Sequence, residues 1–210
     1  MGVPLGVAVA GTPRRLPHGE VVFRQGDLVA SLFLLTCGAV RLSSVTPAGR
    51  EIVVALLGPG DVFGEAALLS APSSVEARAV GDSEVVGIPV CLLREIIHRH
   101  TATAEQLLRM VAARLHRTSR ALEEALVGDV ALRVSSQLRH LAESHGVPEP
   151  DGVRIRVPLT QEEIARMVGA SREAVNRTLG ALTARGLVRT NGQTVVIPDP
   201  AALDAELTIP

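Results

Sequence analysis

The chain contains no Lys, no Trp and no Tyr. All 21 basic side chains are therefore Arg. That excludes chemistry needing a lysine nucleophile, a Schiff base or a P-loop Lys. Aromatic residues amount to 1%, namely Phe23, Phe33 and Phe63. So few argue against a single-strand reader that stacks bases on aromatic platforms. Cysteine is nearly absent too: Cys37 and Cys91 lie far apart, without a CxxC. A zinc site or iron–sulfur cluster held within one chain lacks its ligands, so no metal is expected. The two thiols read as buried and incidental in a reduced protein, with Cys37, just before Gly38, the better redox candidate. No long hydrophobic run occurs. Met1–Ala10 is apolar but interrupted by Pro4 and Gly6, lacks a basic flank and is too short to span a bilayer. Residues 1–15 read as an irregular lead-in to a cytoplasmic protein with no membrane partner.

What remains is a globular composition. Hydrophobic residues make up 47% and charged residues 20% of 210 residues, enough for one large domain or two small ones. Net charge is -1, so any nucleic-acid site must be a local patch.

Residues 16–100 carry short apolar or alternating runs at Glu20–Arg24, Ser31–Leu35, Ala39–Ser43, Glu51–Leu57, Ser74–Val80 and Ser83–Val90. Gly/Pro/Asp turns separate them, the pattern of a β-barrel or β-roll. Leu92–His98 suits a short helix. Ala102–Leu126 has neither Gly nor Pro and is rich in strong helix formers. Its residues Leu108, Val111, Leu115, Thr118, Leu122 and Ala125 recur at 3-4 spacing, the stripe of a helix–helix seam. A helix of roughly 25 residues is about 37 Å long, wider than a small barrel. A homodimer seam is therefore favoured over packing on the chain's own barrel. Gly128-Asp129 reads as a hinge, with Asp129 capping a helix over Val130–Ser144. His145–Gly152 reads as a turn-rich break and Val153–Val157 as a short strand.

The C-terminal stretch is the most specific. Thr160-Gln161-Glu162-Glu163 is a capping box, followed by an apolar face of Ile164, Met167 and Val168. Gly169 turns the chain and Ser171 caps a second helix, Arg172–Arg185. That helix carries Ala174, Val175, Leu179 and Leu182 on one side and Arg172, Glu173, Asn176 and Arg177 on the other. Leu187–Arg189 and Thr194–Ile197 flank Asn191-Gly192, a type I′ hairpin signal. Helix, turn, helix and hairpin make a winged helix-turn-helix, whose second helix enters the major groove. Arg suits guanine and a carboxylate suits cytosine N4. From Asp151 to Ile197, seven Arg face four acids, a balance of +3 against -1 for the chain. The basic excess sits where a duplex would lie.

Leu159–Leu182, LTQEEIARMVGASREAVNRTLGAL, resembles the DNA-binding signature of the CRP/FNR family of regulators. The resemblance runs from Leu16 to Ile197. It implies an α+β fold with a cyclic-nucleotide-binding-like β-roll (16–100), a dimerisation helix (101–128) and a winged helix (129–210). It further implies a homodimer on double-stranded DNA that works with RNA polymerase. The motif Ser171 to Arg177 is similar to members reading TGTGA-type half-sites, with Arg172, Glu173 and Arg177 on bases. Ser171, Asn176, Thr160 and Gln161 complete the expected DNA surface, and Leu108, Val111, Leu115 and Leu122 the dimer seam. The family usually carries a helical segment before the roll, reduced or missing here.

Gly60–Ser74, GDVFGEAALLSAPSS, resembles the family's phosphate-binding cassette. The resemblance assigns effector-pocket roles to Gly64, Glu65, Ala66, Ser73 and Ser74, and to Thr118 and Ser119 on the long helix. Cyclic AMP would be the cofactor. Ser73, however, stands where the family places its phosphate-binding Arg, and Arg78, five residues on, is a poor substitute. A cyclic phosphate without its guanidinium loses about 1.5–3 kcal/mol, or one to two decades of affinity. The expectation is a regulator whose pocket is empty or differently filled. Haem is not favoured, because His18, His98, His100 and His116 form no ligand cluster with either Cys and read as surface or structural. A ligand-binding module whose C-terminal domain contacts proteins is the competing reading. An enzyme fits poorly, since Glu65 is the only acid in an evident pocket motif.

Overall fold

The structure is a computed structural model and describes residues 11–205. The expected lead-in over residues 1–10 lies outside the described residues. The chain forms two compact units, the first ending at Arg117 and the second starting at Thr118.

The first unit is a β-roll of two four-stranded antiparallel sheets. One contains β1 (Thr12–Leu16), β8 (Ser83–Pro89), β3 (Ser31–Cys37) and β6 (Val62–Phe63), in that order. The other contains β2 (Val21–Phe23), β7 (Glu76–Ala79), β4 (Val40–Val45) and β5 (Glu51–Leu57). Their inner faces share one core, including Leu16, Leu35, Leu42, Leu57, Phe63 and Val85. The outer face of the first sheet is covered as well. Leu32, Leu34, Val86 and Ile88 pack with Leu93 of α1 (Val90–Arg99). Burial on both faces explains why β3 reads as a continuous apolar run rather than an alternating one. The three Phe meet inside the roll, with ring centroids 5.3 Å apart for Phe33–Phe63 and 6.0 Å for the other two pairs. Such contacts add about 0.5–1.5 kcal/mol per pair to the burial itself.

The long helix α2 spans Thr101–Val127. Its apolar stripe is open: Leu108 is 69%, Val111 51%, Leu115 67% and Leu122 61% exposed. Leu108, Val111 and Leu115, which belong to the same unit as the barrel, are therefore not buried against it.

The second unit contains α3 (Val130–His145), α4 (Gln161–Val168), α5 (Arg172–Ala184), α6 (Pro200–Ala205) and a sheet ordered β11-β12-β10-β9. Those strands are β9 (Gly146–Glu149), β10 (Gly152–Ile155), β11 (Arg189–Asn191) and β12 (Thr194–Ile197). Val134, Leu138 and Leu141 of α3, Ile164 of α4, Val175 and Leu179 of α5 and Leu203 of α6 are all buried. The Gly128-Asp129 hinge is a tight corner. Gly128 N–H donates to the Glu124 carbonyl at 2.8 Å, and Asp129 Oδ1 caps Leu132 N–H at 2.8 Å. Ser136 Oγ donates across the corner to Glu124 Oε1 at 2.6 Å. A Cβ on Gly128 would lie 2.6 Å from the Glu124 carbonyl, so the corner admits only glycine without adjustment.

Three expectations are corrected. Residues 12–15 are strand, not irregular: β1 pairs with β8 from Thr12 to Leu16. The break at His145–Gly152 contains strand β9, pairing with β10. Both strands lie at sheet edges, where Pro13 and Pro148 sit without needing a ladder donor. Cys37 and Cys91 are exposed, not buried. A register shift between Leu35 and Cys37 turns the end of β3 outward, and Cys91 lies on the opposite side of α1 from the buried Leu93.

Candidate nucleic-acid interface and effector pocket

The candidate nucleic-acid surface is built from two capped helices. Thr160 Oγ1 accepts from Glu163 N–H at 3.1 Å, while Glu163 Oε2 accepts from Thr160 N–H at 2.8 Å, completing the capping box that starts α4. Gly169, at φ 65°, ends α4 in the left-handed region that favours glycine. Ser171 Oγ then accepts from Ala174 N–H at 3.2 Å and starts α5. Val175, Leu179 and Leu182 anchor α5 to the core. That anchoring turns Arg172, Glu173, Asn176 and Arg177 outward, and all four are exposed.

Arg154, Arg166 and Arg189 pair with Glu149, Glu162 and Asp151. Arg172 and Arg177 form no ion pair among the described residues, though both favour the charge on Glu173. The Glu173 carboxyl is held below its ordinary range, first by its own backbone N–H, then by Ser171 and the two Arg. It is therefore an ionised acceptor at neutral pH. Gln161 Nε2 donates to Asn176 Oδ1 at 3.3 Å, tying α4 to the outer face of α5. The wing tip, Asn191 to Thr194, is exposed beside this surface in the same unit. The expected DNA residues Thr160, Gln161, Ser171, Arg172, Glu173, Asn176 and Arg177 thus lie on α4, α5 and their caps.

The cassette residues lie in the first unit. Gly64, at φ 86°, precedes a 3-10 turn over Glu65–Leu69. A Cβ there would sit 2.9 Å from the Ser31 carbonyl and 3.1 Å from the Phe33 ring, so glycine is required twice over. Ser73 is buried, and its hydroxyl is committed locally. It donates to the Val75 carbonyl at 2.8 Å and accepts from Val75 N–H at 3.3 Å. Ser74 is exposed. Arg78 is committed elsewhere, to Glu76 at 2.8 Å and to the Gly19 carbonyl at 2.9 Å. Glu65 meets a residue that sequence reasoning missed: Arg114 of α2 donates to Glu65 Oε1 at 2.9 Å and to the Val62 carbonyl at 2.7 Å. No local pattern links positions 49 residues apart. Burial holds the Arg117 guanidinium below its ordinary value, with Arg114 adding to the effect and Asp61 opposing it. Thr118 and Ser119 lie exposed on α2, in the second unit. An open cleft in the roll is lined instead by Val22, Phe23, Leu28, Val29 and Phe33.

His18, His98, His100 and His116 are exposed. Among the described residues, no group of three or more His, Cys, Asp or Glu is placed to hold a metal ion. No helix among them is long and apolar enough to cross a membrane.

A β-roll joined to a winged helix-turn-helix, with Arg172, Glu173 and Arg177 exposed on its second helix, is the architecture of a DNA-binding transcription regulator. Two family models match: a cyclic nucleotide-binding domain over residues 13–100 and a Crp-like helix-turn-helix domain over residues 132–206. The CRP-like cAMP-activated global transcriptional regulator of Mycobacterium tuberculosis is 37% identical over 192 residues, covering 91% of this chain and 86% of that protein. The cyclic AMP receptor protein of Thermus thermophilus is 34% identical over 204 residues, covering 94% and 89%. The crystal structure of a CRP-family transcriptional regulator from Thermus thermophilus is also similar. It has a TM-score of 0.74 at 27% identity and covers 92% of this chain and 96% of that one. FixK2 from Bradyrhizobium japonicum shares the fold, with a TM-score of 0.81 over 95% and 98% of the two chains. The chain belongs to the CRP/FNR family of transcriptional regulators.

Proposed function

We propose that the protein acts as a homodimer that reads a pseudo-palindromic TGTGA-type site in the major groove of double-stranded DNA, without tight control by cyclic AMP. The observation that carries the dimer is the open stripe of α2, with Leu108, Val111, Leu115 and Leu122 each at least half exposed. Water is the wrong solvent for four apolar residues at seam spacing. A second copy of the same stripe covers them by two-fold symmetry. Arg172 and Arg177 supply bidentate donors for guanine, and ionised Glu173 accepts from cytosine N4. Contact with RNA polymerase in the cytoplasm belongs to this proposal, and membership of the family supports it.

The effector reading rests on Ser73 and Arg78. The Ser73 hydroxyl is occupied by Val75, and the Arg78 guanidinium by Glu76 and Gly19. Neither offers a free charged donor to a cyclic phosphate. The relatives from Mycobacterium tuberculosis and Thermus thermophilus carry cyclic AMP in their names. This chain is expected to bind it about 10–100-fold more weakly than a protein with the Arg in place.

Two measurements on the purified full chain test this function. Gel shift with a TGTGA palindrome should show binding without added nucleotide that weakens steeply with salt. Calorimetric titration with cyclic AMP should show little heat at micromolar concentrations. Tight cyclic AMP binding, with DNA binding only in its presence, would overturn the effector reading.

A further inference from the structure

Gly180 is a glycine that the fold does not explain. It lies inside α5, eight residues after its start at Arg172 and four before its end at Ala184. Its φ is not in the left-handed region, unlike those of Gly169 and Gly186 at the ends of α4 and α5. Apart from its chain neighbours and the backbone of its own helix, no atom of the described residues lies within 4 Å of where its Cβ would be. Neither backbone geometry nor packing within the chain demands glycine. Glycine in a helix interior is nonetheless a less stable choice than alanine.

Its direction supplies the reason. On the α5 wheel Gly180 is one turn beyond Asn176 and Arg177 and two turns beyond Glu173. It lies away from Val175, Leu179 and Leu182, which face the core. It is therefore on the reading face. Seven residues of rise place it about 10 Å along the axis from Glu173, close to the major-groove width of about 12 Å. With Arg172 and Glu173 on base edges, Gly180 reaches the rim of the groove, where the sugar-phosphate strand runs.

We infer that Gly180 is the close-approach point of the DNA backbone to α5, a bare stretch of helix against which one sugar-phosphate strand packs. This rests on the base-reading role of α5 proposed above. The absent side chain lets the helix sit deeper in the groove and sets the depth from which Arg172 and Arg177 reach bases. Stability is given up for DNA contact.

The test is Gly180→Ala in the full chain, with Gly180→Leu as the larger probe. Melting without DNA should rise by about 2–4 °C for Gly180→Ala. Affinity for the palindromic duplex, read by fluorescence anisotropy, should fall about tenfold, as for one methyl forced into a filled contact. Gly180→Leu should lose more. The order of base preference should be unchanged, because the contact is to the backbone. Wild-type affinity in both variants, with Arg172→Ala and Arg177→Ala losing affinity, would overturn this inference and leave base reading standing. If the two Arg variants also bind as wild type, both readings fall. A lowered melting temperature in Gly180→Ala would overturn it too, by showing that the fold requires the glycine.

Discussion

Replacing Leu115 by Ala tests the dimer seam with the least disturbance to the monomer. Leu115 is 67% exposed on α2, so its truncation leaves no cavity in the isolated chain. The change removes three carbon groups, worth about 0.8 kcal/mol each when buried. With two-thirds of the side chain available for burial, the loss is about 1.6 kcal/mol per chain. Two-fold symmetry places the substitution in both partners, so the dimer loses about 3 kcal/mol. That is about two decades in the dimer Kd. Sedimentation velocity over a concentration series reads this directly. The melting temperature of the monomer should barely move, because no buried group is touched. Affinity for a full palindrome should fall with dimerisation, while affinity for a single half-site should not. A dimer Kd within threefold of wild type would refute the seam. So would a loss of dimer accompanied by a large fall in monomer stability, which would make Leu115 a core residue.

Other substitutions probe the fold and the proposed reading face. Thr160→Ala removes the capping box of α4 and should cost about 1 kcal/mol, or a melting shift of about 2–4 °C. Phe63→Ala empties the centre of the aromatic trio, where Phe63 is 0% exposed, and should cost about 3–5 kcal/mol in chemical denaturation. Glu173 carries a pH signature. Its carboxyl is depressed in the folded chain, so its contribution to stability is present above the ordinary glutamate range and is lost as pH falls through the depressed value. Ser171→Ala should raise the Glu173 pKa toward the ordinary range in an NMR titration. An unchanged titration would show that Ser171 plays no part in holding it.

Local chemistry made much of this protein legible. The capping box at Thr160, the Ser171 cap, the Gly169 turn and the Asn191-Gly192 hairpin signal each depend on residues within a few positions. The structure realises the two caps and the Gly169 turn, but Asn191 is the last residue of β11 and pairs with Thr194, so the hairpin loop is Gly192-Gln193, and only Gly192 of it has a positive φ, unlike the type I′ turn that the sequence suggests. The stripe of α2 was legible because 3-4 spacing is a property of the chain alone. The misses share two causes. β1 and β9 contain Pro13 and Pro148, which argue against a strand until the sheet order shows that both occupy edges. Cys37 and Cys91 were misplaced because apolar neighbours do not reveal which way a side chain points. The register shift at Leu35/Cys37 and the face of α1 decide that. Helix α6 carried a usable signal in Asp199-Pro200, since Asp199 Oδ1 does cap Ala201 N–H at 2.9 Å.

The family, most of the element order and the choice of the α5 residues proposed to read DNA come from the sequence by itself, because helix caps, turns and periodic faces are set by nearest neighbours along the chain. Tertiary structure alone decided what those residues have available to bind. It showed Ser73 closed on Val75, Arg78 spent on Glu76 and Gly19, and Arg114 meeting Glu65 from 49 positions away. It also left Arg172 and Arg177 without an ion pair among the described residues, and the space at the Gly180 Cβ position open among them. Whether a charge is spent or a surface is bare depends on groups brought close by folding, and separation along the chain carries no record of that distance.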